Sequence, residues 1–334
     1  MRDVAALSGV SVKTVSRVVN DVSTVSEELR DRVMRAVAQL DFRPNLAASS
    51  LRRTDGATRQ IALLLENVAN PFSATLSRAV ENVAREHGTL VLSGSLDEDP
   101  RRELELVRAA TLHRVDGILL VPAAPDHAYL HREIRTGTPV VFADRPPRGL
   151  DADAVMAANA EGAREAVLHL ADRGHTEIAF LGHERGISTA GERLAGYRTA
   201  LAERGLPERP GRVVCDLGGS AAAARAAGAL LDSAHPPTAL FTAQNLVTIG
   251  AIQALQERGL HERVAVVGFD DFPMADLLTP RVTVIAQDVM GIGALAVRRL
   301  FARIAGDDGP PREERVPTAL VVRGSGEIPP PDPR

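Results

Sequence analysis

A chain of 334 residues, 45% apolar and 25% charged, is too long for one simple core and predicts two or three soluble, globular domains. Without an apolar run near the ~18 residues of a membrane span, without a signal-peptide pattern and with one cysteine, Cys215, it reads as cytoplasmic, with neither a disulfide framework nor a cysteine-cluster zinc site; burial is the default for that thiol. The net charge of −4 hides an asymmetry: residues 1–60 hold ten basic and seven acidic side chains, +3, leaving −7 for the remainder, which suits a head that meets nucleic acid and a body that avoids it.

The first twenty residues, MRDVAALSGVSVKTVSRVVN, read as two short helices joined by a glycine turn, the helix-turn-helix shape that presents a helix to a DNA major groove. Ala5 lets the helices touch, Gly9 takes a turn conformation closed to other residues, and Val15 packs the second helix on the first. The second helix is expected from about Ser11, its N-cap, to Asn20. At ~100° per residue, Val12, Lys13, Ser16, Arg17 and Asn20 share one polar arc, with Val15, Val18 and Val19 opposite. An ordinary amphipathic surface helix looks similar in isolation. The turn spacing and the neighbouring segments favour DNA, with Lys13, Ser16 and Arg17 facing bases or phosphates, Val12 a thymine methyl, and Ser11 and Thr14 alongside.

A third helix is expected from Ser26 to about Leu40, with Leu29, Val33, Val37 and Leu40 at helical spacing. Asp41-Phe42-Arg43-Pro44 ends it, since a residue before proline avoids the helical region. Asn45 then caps LAASSLRR, a segment too short for a stable isolated helix.

The stretches DVAALSGVSVKTVSRVVN, VSEELRDRV and FRPNLAASSLR resemble the DNA-binding headpiece of the lactose-repressor (LacI/GalR) family of bacterial transcriptional regulators. The resemblance implies that LAASSLRR is a hinge helix that folds on operator DNA, with Leu51 wedged into the minor groove. Asn20 and Asn45 would position the backbone, and Arg52 would meet phosphate. A homodimer on double-stranded, pseudo-palindromic operator DNA is implied as well. Ser49 stands where the family usually has arginine. The family also carries several residues before Asp3-Val4-Ala5, so a native start upstream of Met1 is expected.

From Gln60 onward, the short apolar runs IALLLE, TLVLSGS, GILLVPA and PVVFAD alternate with helical stretches. After a bridging run, AVMAAN, come EIAFLG, RVVCDL, TALFTA and VAVVGFDD. Continuous apolar runs between amphipathic helices mean parallel strands covered on both faces. Two groups of four predict two doubly wound lobes with a ligand cleft at the carboxyl ends of their strands. The whole is expected to be an all-α helix-turn-helix headpiece plus an α/β, periplasmic-binding-protein-like core of two doubly wound parallel-sheet lobes. The headpiece takes 1–44, and the hinge helix and linker 45–59. The N-terminal lobe takes 60–157 and 287–316, the C-terminal lobe 158–286 and 317–328, the three crossings being implied by the resemblance. The proline-rich tail 329–334 is expected to be disordered and lacks a heptad for a coiled coil.

Strand ends carry the candidate ligand groups. Phe72 follows the first run in Asn70-Pro71-Phe72, Asp144 and Arg145 end the fourth, and Arg193 opens the helix after Gly182. Gln244 and Asn245 follow TALFTA, Asp270 and Asp271 follow VAVVGF, and Gln287 ends VTVIAQ. An aromatic face, fork-shaped arginines and carboxylates suit a sugar or related polyol, and in the family their equivalents line an effector cleft. The family usually reads Asn-Asp where this chain has Gln244-Asn245. Any one of these residues, taken alone, reads equally as a helix cap or a surface ion pair.

Other patterns read as structural. Gly291-Ile-Gly293-Ala-Leu-Ala296 matches a loose dinucleotide fingerprint but lacks the acidic residue on a following strand, so helix packing explains its small residues. His127 and His131 lie four apart beside Asp126, without a third metal ligand in sequence. Asp97-Glu98-Asp99 reads as a charged loop before a helix. Neither a phosphate loop nor a nucleophile elbow is present. A transport receptor and a doubly wound enzyme are thus weaker readings than a transcriptional repressor responsive to a small, carbohydrate-like effector, with no catalytic residue, metal or cofactor.

Overall fold

The computed structural model describes residues 1–19, 25–42 and 57–332; Asn20, Asn45, Ser49, Leu51 and Arg52 lie outside them. The chain forms two compact units, Met1–Thr58 and Arg59–Arg334.

In the first unit, α1 (Arg2–Ser8), α2 (Val12–Val19) and α3 (Glu27–Gln39) close on a small core of Val4, Ala5, Val15, Val18, Val33 and Ala36. Gly9 ends α1 with a φ of 63°, in the left-handed region where a Cβ is penalised. The N–H groups of Gly9 and Val10 then close on the carbonyls of Ala6 and Ala5. Ser11 caps α2, its Oγ accepting from the Thr14 N–H at 3.1 Å. The apolar stripe of α3 differs from expectation at its end: Leu40 falls beyond the last helical residue and is 42% exposed, while Ala36 takes the buried position.

The second unit begins with β1 (Gln60–Leu65), α4 (Pro71–Glu86), β2 (Leu90–Ser95), α5 (Pro100–Leu112), β3 (Gly117–Leu120), α6 (His131–Arg135), β4 (Val140–Ala143) and β5 (Asp153–Ala157). It continues through α7 (Asn159–Asp172), β6 (Ile178–Leu181), α8 (Ser188–Glu203), β7 (Val213–Val214), α9 (Ser220–Leu231), β8 (Ala239–Thr242) and α10 (Asn245–Glu257). Last come β9 (Ala265–Phe269), β10 (Thr283–Gln287), α11 (Val289–Ile304), β11 (Glu313–Val316) and β12 (Thr318–Val321). Two sheets result, ordered β11-β5-β4-β3-β1-β2 and β12-β10-β9-β8-β6-β7. Neighbouring strands run parallel except for the antiparallel β10–β12 pair.

AVMAAN supplies a strand, β5, as well as the first crossing between the sheets. β5 pairs in parallel with both β4 and β11. Its side chains alternate between two covered faces, Val155 and Ala157 on one core and Ala154 and Met156 on the other. RVVCDL yields only the two-residue edge strand β7, which leaves Cys215 half-buried.

The chain passes between the sheets at 157–159, 287–289 and 316–318, so α7 packs on the second sheet and α11 on the first. Helices α11 and α4 meet closely at Gly293, where a Cβ would fall 2.7 Å from the Cβ of Ala79 and 3.1 Å from the Leu76 carbonyl oxygen. His175 Nε2 donates to the Ile328 carbonyl at 2.8 Å, and Pro330 lies beside Gly174. Among the described residues no helix is long and apolar enough to cross a membrane.

Because the α4–α11 contact has no room for branching, Gly293→Val is expected to destabilise the second unit by about 1–3 kcal/mol, read as a lowered melting temperature. An unchanged melting curve would show that the helices separate freely.

Candidate ligand cleft and nucleic-acid interface

Strand order reverses around β1 in the first sheet and β6 in the second. Loops leaving the carboxyl ends of neighbouring strands diverge at such a point and open a crevice. The two crevices share one cavity of about 250 Å³. Glu66, Phe72, Glu98, Asp144 and Arg145 line it from the first lobe, and His183, Glu184, Arg193, Gln244 and Asp270 from the second, with Gln287 at a crossing. Asp144 and Asp270 occupy matching places at the ends of β4 and β9, with φ of 64° and 71°. Such conformations in non-glycine residues persist only where surrounding structure holds them.

Both arginines are already engaged. Arg145 grips Glu98 through two bonds of 2.6 and 2.7 Å and donates to the Pro122 carbonyl at 2.9 Å. Burial works against its charge, yet the bonds to Glu98 hold its pKa above the ordinary arginine value. Arg193 donates from Nε to Asn159 Oδ1 at 2.9 Å and from Nη1 to the Ala243 carbonyl at 2.9 Å, with Asp270 at 3.3 Å. Its guanidinium carbon lies 3.9 Å from the Phe269 ring centroid, a cation–π contact.

The carboxylates differ in company. Glu66 is buried, and one oxygen accepts from Ser73 Oγ at 2.6 Å while Oε2 has no partner among the described residues. Burial, aided by the nearby Asp144, pushes it up to about 7. Burial likewise pushes Asp144 up to about 6, against the pull of Arg145 and Arg193. His183 is shifted below the ordinary histidine range, chiefly by burial.

Of the residues singled out from sequence, Phe72, Asp144, Arg145, Arg193, Gln244, Asp270 and Gln287 line the cavity, although Arg193 does not open its helix: α8 begins at Ser188 and Arg193 lies in its second turn. Asn245 does not: its amide is turned away and donates to Asn70 Oδ1 at 2.8 Å, joining the two lobes. Gln244 lines the wall while its Oε1 caps α10, accepting from Leu246 and Val247. Asp271 leaves the cleft to pair with Arg323 at 2.6 Å. Sequence reasoning passed over Glu66, Glu98 and His183. Glu66 closes an apolar run and Glu98 sits in a charged loop, so neither stands out by pattern; the strand-end rule, applied to every strand, finds all three. His127 is buried with Nδ1 accepting from the Arg148 N–H, whereas His131 is exposed, so no imidazole pair forms.

In the first unit, Val15 and Val18 hold α2 on the core while Val12, Lys13 and Arg17 are exposed. Ser11 and Thr14 are partly committed to each other, their hydroxyl oxygens 2.9 Å apart.

Residues 1–45 match the model of bacterial regulatory proteins of the lacI family, and residues 167–326 that of a periplasmic binding protein-like domain. The ribose operon repressor of Haemophilus influenzae is 32% identical, over 91% of this chain and 91% of its own. The chain belongs to the lacI family of bacterial regulatory proteins. A crystal structure of the lac repressor dimer bound to operator and an anti-inducer superposes with a TM-score of 0.85 at 26% identity, covering 97% of this chain and 98% of that one. The regulator CelR in complex with cellobiose superposes at 0.72 with 31% identity, over 97% and 98%. Like other lacI-family members, this chain is a DNA-binding transcriptional regulator and not an enzyme.

The raised Glu66 pKa gives a signed prediction. In the folded protein Glu66 keeps its proton up to about 7, and in the unfolded chain only to 4.5. Its contribution is therefore full below 4.5 and is lost as pH rises through about 7. Glu66→Gln lacks that loss, so it should out-melt the parent at pH 8, by at most ~3 kcal/mol, with the gap closing toward pH 5. A gap that does not change with pH would contradict the assignment.

Proposed function

We infer that the chain is a repressor that binds a pseudo-palindromic operator as a homodimer in the bacterial cytoplasm, on the nucleoid, and releases or tightens its grip when a small sugar-like metabolite enters the cleft. The observation that carries the reading is α2, a helix backed by buried valines whose open side offers Val12, Lys13 and Arg17. Lysine or arginine on guanine is the commonest specific base contact. Ser11, Thr14 and Ser16 would border that surface, and residues 1–44 would form the reading head. Residues 45–59 would be the hinge, with Asn20, Asn45 and Arg52 on the backbone and Leu51 bending the duplex.

The core residues 60–157 and 287–316 would close against 158–286 and 317–328. Phe72, Asp144, Arg145, Arg193, Gln244, Asp270 and Gln287 would hold the effector, with Asn245 bracing the lobes from outside the cavity. A sugar-like ligand is supported by the names of the ribose operon repressor and the cellobiose complex of CelR. The dimer is supported by the operator-bound lac repressor and by apolar surface on the second lobe, where Met274 is 65% and Leu277 75% exposed. Ligand-driven closure would alter hinge spacing, and linkage of this kind is typically worth ~1–3 kcal/mol.

Fragments captured from the host genome by the purified chain supply the operator for a gel-shift titration. Arg17→Ala is expected to weaken binding to the best fragment by about 1–3 kcal/mol. Equal affinity in variant and parent would refute the base contact, and no preference over random duplex would refute the regulator.

A further inference from the structure

Charge in the cleft is lopsided. Among the described residues its lining holds six carboxylates, those of Glu66, Asp97, Glu98, Asp144, Glu184 and Asp270, against the guanidinium groups of Arg145 and Arg193. The chain's single lysine is Lys13, in the other unit. Glu98 and Asp270 take up the two arginines, and Asp97 pairs with Arg102 from outside the lining at 2.6 Å. Only the Arg145 Nε, 3.5 Å away, is left to Asp144. Glu66 is 4% exposed, lines the cavity, and keeps Oε2 without a hydrogen-bond partner among the described residues. An unmatched buried acceptor is costly, and a donor brought to it restores what was lost. An anion in the same place meets like charge where water screens little.

We propose that Glu66 makes the effector cleft select a small polyhydroxyl molecule bearing a protonated amine, and reject sugar acids and sugar phosphates. This rests on the effector reading of the cleft and narrows it. The ammonium donates to Glu66 Oε2 and offsets Glu66 and Asp144 together, a charge-assisted contact roughly twice as strong as a neutral one. The hydroxyls meet the remaining acceptors, and Phe72 closes one wall. The raised pKa values of Glu66 and Asp144 fit carboxylates that lack a cation.

Three compact probes of nearly one shape test the idea on the full chain: protonated tris(hydroxymethyl)aminomethane, neutral pentaerythritol, and anionic 2,2-bis(hydroxymethyl)propionate. Binding is titrated by ligand-observed NMR at neutral pH and matched ionic strength. The amine is expected to bind about tenfold more tightly than the neutral tetraol, and the acid not at all. In Glu66→Gln, whose folding is checked by its melting curve, the preference should collapse toward parity. In Asp144→Asn, tolerated because asparagine accepts a positive φ, the preference should fall in part. The proposal is overturned if the acid binds as well as the amine, if the amine does not bind, or if Glu66→Gln keeps the preference. Should Glu66→Gln not fold, an unchanged preference in Asp144→Asn overturns it. Capture of genomic fragments without any probe reports separately on regulation: DNA selection without amine preference sinks this inference alone, and amine preference without DNA selection sinks the regulatory reading alone.

Discussion

Charged side chains drawn out of water at the facing ends of two parallel sheets set the terms for the core. A buried charge left alone costs several kcal/mol, so each arginine must keep its carboxylate. Arg145 keeps Glu98, and Arg193 keeps Asp270. The second pair reaches beyond the cleft. Arg193 holds Asn159 at the first crossing, and Asp270 accepts from Gln287 at the second. Asn159 donates to Glu192 at 3.0 Å, and Glu192 accepts from Arg315, on the strand before the third, at 2.9 Å. The Arg193–Asp270 pair is therefore linked by hydrogen bonds to residues at or beside all three segments that pass between the sheets.

The departure at Gln244-Asn245 has a physical account. Asn70 Oδ1 accepts from the Phe72 N–H at 3.0 Å as the cap of α4, which fixes the orientation of its amide. What approaches from the other lobe must then be a donor. Asn245 supplies one at 2.8 Å; an aspartate there could not. The longer Gln244 reaches back to cap α10, the work a shorter residue usually does. The pair trades a possible ligand contact for a bond between lobes.

Much of this was readable in the sequence because fully apolar runs such as IALLLE and GILLVPA have few uses other than parallel strands covered on both faces. β5 was harder: AVMAAN is short and small, and only its partners β4 and β11, the latter 159 residues distant in sequence, show that it is a strand. The head was legible through Gly9, whose backbone angle the turn requires, yet Leu40 lies past the end of the helix whose apolar spacing it continues. In the cleft, strand-end position revealed Asp144 and Asp270, whereas Arg193 reaches it from inside α8. Pairing did not show: Glu98 and Arg145 are 47 residues apart, and nothing local marks Glu66 as the carboxylate left over. Neighbouring residues at one helix start, Gln244 and Asn245, diverge because cap geometry sends one to the wall and the other across to Asn70.

Control of DNA binding by the cleft is read by fluorescence anisotropy on a captured genomic fragment, with and without a small-molecule extract of the host. Arg193→Ala, its folding checked by a melting curve, should lose the shift in affinity that the extract produces in the parent, each protein being compared with itself without extract. An identical shift in both proteins would contradict the account.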